Sequence, residues 1–419
     1  MALDNSFSSD PALRSSREKP SGEIEVSRSV TVRLPNAMVG REFSASPTDL
    51  LPNSERVETL SNIPAGLEFV DGILRGTPEV SGEFEMGVHF DPPDMANLLI
   101  ALTVNADPRS LWKNLQSDRN DPFWKADTAI DFLEDGPLTV VGASLRGRSH
   151  AHVGSFRDDD LALAWFPVSG WYSLTVADGA GSANLSRQGS KIACDAVKQQ
   201  FAGYFADAEN ILSQWVAQPD KVDALLAELC QQFGQAALGA LKKIEEQAKL
   251  LDAAVRDFHT TLITVLLHPL PDGRWFVAAF SIGDGAAALV SVPGGEPCLL
   301  TRPDGGEYAG QTVFLTMPEA IGTAETIMGR IQTAVISGFD ALLLVTDGIS
   351  DPRFESESAL ADSAAWAALW SELAVPLDGA NSQEAAAAAI LKWMEFHSPG
   401  HHDDRTLVLA TPSLTFLPP

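Results

Sequence analysis

The spacing of apolar and polar positions changes character along the chain. From about residue 23 to 106, short runs alternate, at 29–34, 66–70 (GLEFV), 82–90 (GEFEMGVHF) and 97–104. A period of two turns one face of a strand inward and the other outward. Turn residues part the runs (Asp71-Gly72, Gly76-Thr77-Pro78, Asp91-Pro92-Pro93), so 23–106 predicts a small β-sandwich. Residues 1–22 are Ser-rich and charged, and predict a flexible N-terminus. Residues 107–136 carry Trp112, Phe123 and Trp124, too apolar for a free linker, and predict a connection packed on a domain face.

After 137 the apolar runs become continuous, at 138–145, 161–166, 171–177, 262–268, 274–282, 286–290, 341–346 and 405–410. Such runs predict strands covered on both faces. Between 187 and 257 the spacing shifts to three and four. Val222, Leu225, Leu226, Leu229 and Phe233, then Leu241, Ile244, Ala248, Leu251 and Val255, predict long helices packed on a sheet. Another helix is expected at 382–396. The order predicts an α+β domain over 137–412, in which two packed antiparallel sheets are flanked by helices.

Composition changes this picture only at the level of partners. A net charge of −27 argues against nucleic acid, which calls for clustered Lys and Arg. No stretch approaches the roughly 20 apolar residues of a membrane span, and the N-terminus lacks the apolar core of a signal peptide. Cys194, Cys230 and Cys298 are far apart and suit a reducing compartment, so a cytoplasmic location is expected.

The candidate chemistry lies where apolar runs end in carboxylates. LTVADGAGS places Asp178-Gly179 after a strand, SIGDGAAALV places Asp284-Gly285 between two strands, and LLLVTDGISD places Asp347-Gly348 after a buried one. HHDDRTLVLA places Asp403-Asp404 before the last strand. Each Asp-Gly is also a common turn, and Asp284-Gly285 fits a hairpin with a type I′ turn. Isolated carboxylates at buried strand ends cost several kcal/mol unless paired or metal-bound, so their convergence points to hard cations. Oxygen-only ligands favour Mg²⁺ or Mn²⁺.

The ordered set ADGAGS, GDG, TDGISDP and DDRT resembles the type 2C metal-dependent protein serine/threonine phosphatases, the PPM family, over about 138–411. VGASLRGRSHAHVGSFRDDDLAL resembles the start of a bacterial subgroup. The run IPAGLEFVDGILRGTPEVSGEFEMGVHF resembles an immunoglobulin-like module of bacterial proteins. These resemblances imply a four-layer α-β-β-α sandwich behind an immunoglobulin-like sandwich, and two or three Mn²⁺ or Mg²⁺ ions. They imply phosphoprotein substrates and a cognate serine/threonine kinase as partner. Asp178 resembles the carboxylate bridging two metals, with the Gly179 carbonyl beside it. Asp347 and Asp403 resemble ligands of the second metal. Asp158 resembles a ligand acting through water, Asp159 its neighbour, and Asp284 a holder of a weaker ion. Thr260 and Thr261 match a small hydroxyl motif.

Two positions depart from the family. Gly154 stands where many members carry Arg, and Ala180 where the proton-donating His usually follows the first Asp-Gly. Arg148 and His152 are the substitutes expected for phosphate contact and proton transfer, with His150 also expected to bind substrate. The departures keep open a catalytically weak regulator that binds phosphoproteins, and a binding or adhesion role for the N-terminal sandwich. His259, His401 and His402 are expected to shape loops or pack.

Overall fold

The computed structural model describes residues 30–47, 49, 57–90, 98–107, 110, 112–290, 299–302, 312–354 and 356–412. The expected flexible segment 1–22 and Cys298 lie outside them. The chain forms two compact units, Met1–Leu111 and Trp112–Pro419.

The first unit contains β1 (Val30–Arg33), β2 (Ala37–Met38), β3 (Phe43–Ala45), β4 (Val57–Ser61), β5 (Leu67–Val70), β6 (Ile73–Gly76), β7 (Gly82–Phe90) and β8 (Leu98–Asn105). One sheet has the order β1-β8-β7-β4, with β2 also on β8, and a second has the order β3-β6-β5. The alternating positions Leu74, Met86, Ile100, Leu102 and Val104 are all buried in its core.

The second unit begins with β9 (Thr128–Phe132) and β10 (Thr139–Leu145), then α1 (Arg148–Val153), β11 (Asp160–Phe166) and β12 (Trp171–Ala177). Helices α2 (Ser186–Tyr204), α3 (Ile211–Trp215) and α4 (Val222–Leu250) follow, then β13 (Leu262–Pro269), β14 (Trp275–Ile282) and β15 (Ala286–Val290). Next come α5 (Pro318–Ile321), α6 (Ala324–Gly329), β16 (Ile331–Ile336) and β17 (Ala341–Val345). The chain ends with α7 (Asp347–Arg353), α8 (Glu357–Leu360), α9 (Ser363–Leu377), α10 (Gln383–Trp393) and β18 (Arg405–Thr411). The stretch expected only as a connection thus supplies a strand, β9, which pairs antiparallel with β10.

Two five-stranded sheets result, in the orders β15-β17-β18-β10-β9 and β11-β12-β13-β14-β16. The pairings in both are antiparallel. Continuous apolar strands are required here because both faces of each sheet are covered. Val140, Val176, Val265, Val277, Leu344 and Val408 fill the space between the sheets. Phe201, Phe233 and Ala237 of the α2 and α4 layer pack on the outer face of one sheet. Trp366, Leu373 and Ile390 of α9 and α10 pack on the other. Each fully buried side chain of this size contributes about 1.5–3 kcal/mol. The layers therefore run helix, sheet, sheet, helix.

Strand register positions the site. Asp160 pairs with Ala177, Leu262 with Ile282, Val345 with Leu407 and Leu145 with Arg405. The ends of β10, β12, β14 and β17 and the starts of β11, β13 and β18 thus fall at one end of the sandwich. Between β14 and β15 the chain crosses from one sheet to the other, so Asp284-Gly285 is not a hairpin. The left-handed φ in that crossing, 106°, belongs to Gly283.

Candidate metal centre

The register gathers Asp178, Asp284 and Asp347, each offering a carboxylate oxygen within 4.8 Å of the others. Asp178 follows β12 and is held through its backbone. Its N–H donates to Thr261 Oγ1 at 2.9 Å, and its carbonyl accepts from Thr260 Oγ1 at 2.9 Å and Thr261 N at 2.8 Å. The paired hydroxyls thus fix the strand end that carries Asp178. Asp284 accepts from Thr312 Oγ1. Asp347 is the first residue of α7, where a carboxylate also meets the positive end of a short helix.

Behind these lies Asp159, fully buried, whose Oδ2 accepts from Thr346 Oγ1 at 2.8 Å and Thr406 Oγ1 at 2.7 Å. The carboxyl groups of Asp159, Asp178 and Asp347 are within hydrogen-bonding reach in a chain, with Asp178 central. Oδ1 of Asp159, Asp284 and Asp347 is buried with no hydrogen-bond partner. Burial, followed by the repulsion of Asp347, Asp159 and Asp403, holds Asp178 well above the usual carboxylate range. Asp347 is raised by burial and then by Asp284 and Asp403. Burial and the Asp404 charge push both Asp158 and Asp159 up to about 7. Buried carboxylates in mutual contact, with lone pairs left over, are the donor set that divalent cations satisfy.

The three Asp-Gly pairs have a different reason from turn geometry. A Cβ on Gly348 would lie 1.8 Å from the Asp404 carbonyl oxygen, one on Gly179 2.6 Å from that of Asp158, and one on Gly285 2.7 Å from that of Val345. Each glycine lets one carboxylate-bearing loop lie against neighbouring backbone, which closes the cluster.

Asp404, noted in the sequence only as a doublet, organises the opposite side. It is 2% exposed. Its Oδ1 accepts from Gly147 N at 2.6 Å, and its Oδ2 from the backbone N–H groups of Asp158 and Asp159. His150 Nδ1 lies 3.1 Å from Asp404 Oδ1 and 2.7 Å from the Phe156 carbonyl oxygen. A carbonyl only accepts, so Nδ1 carries the hydrogen. Although burial disfavours the imidazolium, the hydrogen bond and charge of Asp404 outweigh it and push His150 up to about 10. Burial opposes the Asp404 anion as well, yet its hydrogen bonds from His150, Gly147 and Asp158 hold its carboxyl below the ordinary value.

The basic residues singled out in the sequence part company here. His150, expected to bind substrate, is buried in α1, with Nε2 3.5 Å from Asp403 Oδ1. It faces the acids from behind. His152 accepts from Lys113 N at 3.1 Å and stands edge-on to Trp112 at 5.2 Å. Arg148 opens α1 on the side of His402 and Arg405, whose protonation it disfavours after burial has done so. Asp403 is half-exposed and enters a cleft of about 330 Å³ with Asp347, Asp351, His401, His402, Ser149 and Trp112. His259 stacks on Phe314 and bonds Thr316 at 2.5 Å.

Two back-to-back sheets with a carboxylate cluster at one end define the class as a phosphatase 2C fold. The protein phosphatase 2C family model matches residues 146–395. The chain belongs to the protein phosphatase 2C family and is a protein serine/threonine phosphatase. Serine/threonine-protein phosphatase 3 of Escherichia coli K12 is 27% identical over 213 residues, which span 50% of this chain and 73% of that protein. Among solved structures, the serine-threonine phosphatase 2C of Toxoplasma gondii is 16% identical at a TM-score of 0.41, covering 68% of this chain and 99% of its own. The PPM Ser-Thr phosphatase MsPP of Mycobacterium smegmatis is 14% identical at a TM-score of 0.36, covering 65% and 97%.

Proposed function

We propose that the chain hydrolyses phosphoserine and phosphothreonine in proteins with two or three Mn²⁺ or Mg²⁺ ions. The observation that carries this reading is the set of buried carboxylate oxygens of Asp159, Asp284 and Asp347 left without partners inside one cluster. Asp178, Asp284, Asp347 and Asp403 and the Gly179 carbonyl would hold the ions, with Asp158 and Asp159 behind them. Ions held there neutralise phosphoryl oxygens and lower the pKa of water. Thr260 and Thr261 orient Asp178, and the Asp404–His150 pair fixes the Asp158–Asp159 backbone. Arg148, at the start of α1, would be the cation that meets the phosphate. The cleft between Trp112 and Asp403 receives the peptide. A serine/threonine kinase is the natural partner, and the N-terminal unit, read as an immunoglobulin-like sandwich, recruits or localises the enzyme.

Turnover of p-nitrophenyl phosphate and of a phosphothreonine peptide, with and without Mn²⁺, tests this. The expected result is Mn²⁺-dependent release of phosphate, lowered on the order of 100-fold by Asp178→Asn. Equal low rates in all samples would instead favour the non-catalytic phosphoprotein-binding reading.

A further inference from the structure

The acid loop 157–160 is fixed from two sides. Asp404 takes its N–H groups. Its carbonyls are taken by residues that include one from far upstream, Lys125. The Lys125 ammonium donates to the Asp159 carbonyl at 3.0 Å and to Ser190 Oγ at 3.1 Å, and pairs with Asp160 Oδ2 at 2.9 Å. An ammonium has three donors and no acceptor, and all three are used. Ser190 Oγ in turn donates to the Asp158 carbonyl at 2.5 Å, and Arg157 donates to the Asp159 carbonyl at 2.6 Å. The peptide planes on both sides of Asp159 are therefore set by side chains behind the loop.

Lys125 is itself anchored by the segment that carries it. Arg187 donates to the Phe123 carbonyl at 3.1 Å and pairs with Asp121 at 2.9 Å. Arg157 Nε donates to the Ala126 carbonyl at 3.1 Å, and Arg146 N to the Asp127 carbonyl at 2.7 Å. At the other end, Leu115 N donates to the Ala151 carbonyl at 2.8 Å and Arg146 reaches Asn114 at 3.1 Å. Residues 113–127 thus form a strap across the back of the acid loop and α1. They lie outside residues 146–395, which the family model matches.

We propose that Lys125 is a positioning residue for the metal centre, holding Asp158 and Asp159 in place through their backbone. The inference rests on the metal-centre reading above. Outer partners of this kind change metal affinity by about 10–100-fold when removed. A residue serving stability alone would lower the melting temperature and leave the affinity of the folded protein unchanged.

The test is calorimetric titration of the full chain with Mn²⁺ alone, for wild type, Lys125→Met and Ser190→Ala, each first checked for a cooperative thermal transition. The expected result is Mn²⁺ affinity weakened about tenfold or more in Lys125→Met, and shifted in the same direction in Ser190→Ala. Affinities within twofold of wild type in the folded variants overturn the inference while leaving the metal centre standing. No Mn²⁺ binding by wild type overturns the metal-centre reading itself. If Lys125→Met does not fold, Ser190→Ala decides, because it deletes the hydroxyl between Lys125 and the Asp158 carbonyl and nothing larger.

Discussion

At the scale of single residues, the centre depends on groups that touch no substrate. Asp404 is the clearest. Removing its carboxylate leaves the N–H groups of Gly147, Asp158 and Asp159 without their acceptor in a buried place, and takes the nearest counter-charge from His150, whose Nδ1 keeps the Phe156 carbonyl. Asp404→Ala is expected to lower unfolding free energy by about 3–5 kcal/mol, the range for breaking one side of a buried charge pair. Asp404→Asn keeps one acceptor oxygen but turns an NH₂ donor toward N–H groups and removes the charge beside His150, so it too should lose stability; urea denaturation of both variants checks this, and a wild-type midpoint for either would contradict the role given to Asp404. Asp178, Asp284 and Asp347 were legible as candidates because each sits where an apolar run stops, a signal that needs no knowledge of the fold. Asp404 was not, because a doublet does not say which carboxylate enters the cleft and which faces the backbone. That choice is made by strand alternation at the start of β18, where Arg405 is already paired with Leu145. The surroundings of the histidines were hidden for a related reason. GRSHAHV carries no apolar pattern, so the helix α1 that buries His150 and turns His152 toward Lys113 could not be seen in it.

At the scale of elements, long apolar runs and three-four spacing recovered most strands of the second unit and the helices at 187–257 and 382–396, while the short strands β2, β3, β4 and β6 of the first unit were not anticipated. The strands missed in the second unit share a cause. β9 and β16 are edge strands with half-buried patterns, and Ile130 and Val335 point outward. Their sequences carry too little contrast to separate strand from loop. The same logic separates two kinds of glycine. Gly348 is enclosed, since an added Cβ would meet the Asp404 carbonyl oxygen. Gly239 lies inside α4, with nothing within 4 Å of an added Cβ. Gly348→Ala is expected to push two ligand loops apart and to reduce both thermal stability and Mn²⁺ affinity. Gly239→Ala should stabilise the fold by about 0.5–1 kcal/mol through helix propensity, with Mn²⁺ affinity unchanged. Thermal melts paired with Mn²⁺ titration would separate the two, and a destabilised Gly239→Ala would contradict the open environment of that helix face.

At the scale of the whole molecule, the carboxylate cluster couples stability to protons and to cations. Asp158 and Asp159 titrate near 7 in the folded chain, and Asp178 and Asp347 are raised as well. An unfolded Asp titrates near 3.9, so between about pH 4 and 7 the metal-free native state binds more protons than the unfolded state. Its stability therefore rises as pH falls through that window. His150, held at about 10, adds stability that is complete below its unfolded value near 6.5 and is lost only as pH rises toward 10. Asp404, held low, acts in the opposite sense and only in stronger acid, where its protonation removes the acceptor for the Asp158 and Asp159 N–H groups. The metal-free chain should thus melt higher at pH 5.5 than at pH 7.5. Divalent cations compete with protons for the same oxygens, so saturating Mn²⁺ should raise the melting temperature more at pH 7.5 and shrink or invert the difference. The net charge of −27 relaxes on acidification whether or not a metal is present, so the decisive quantity is the change in the pH difference on adding Mn²⁺. The same pH difference with and without Mn²⁺ would mean that the raised carboxylates are not where the cations bind.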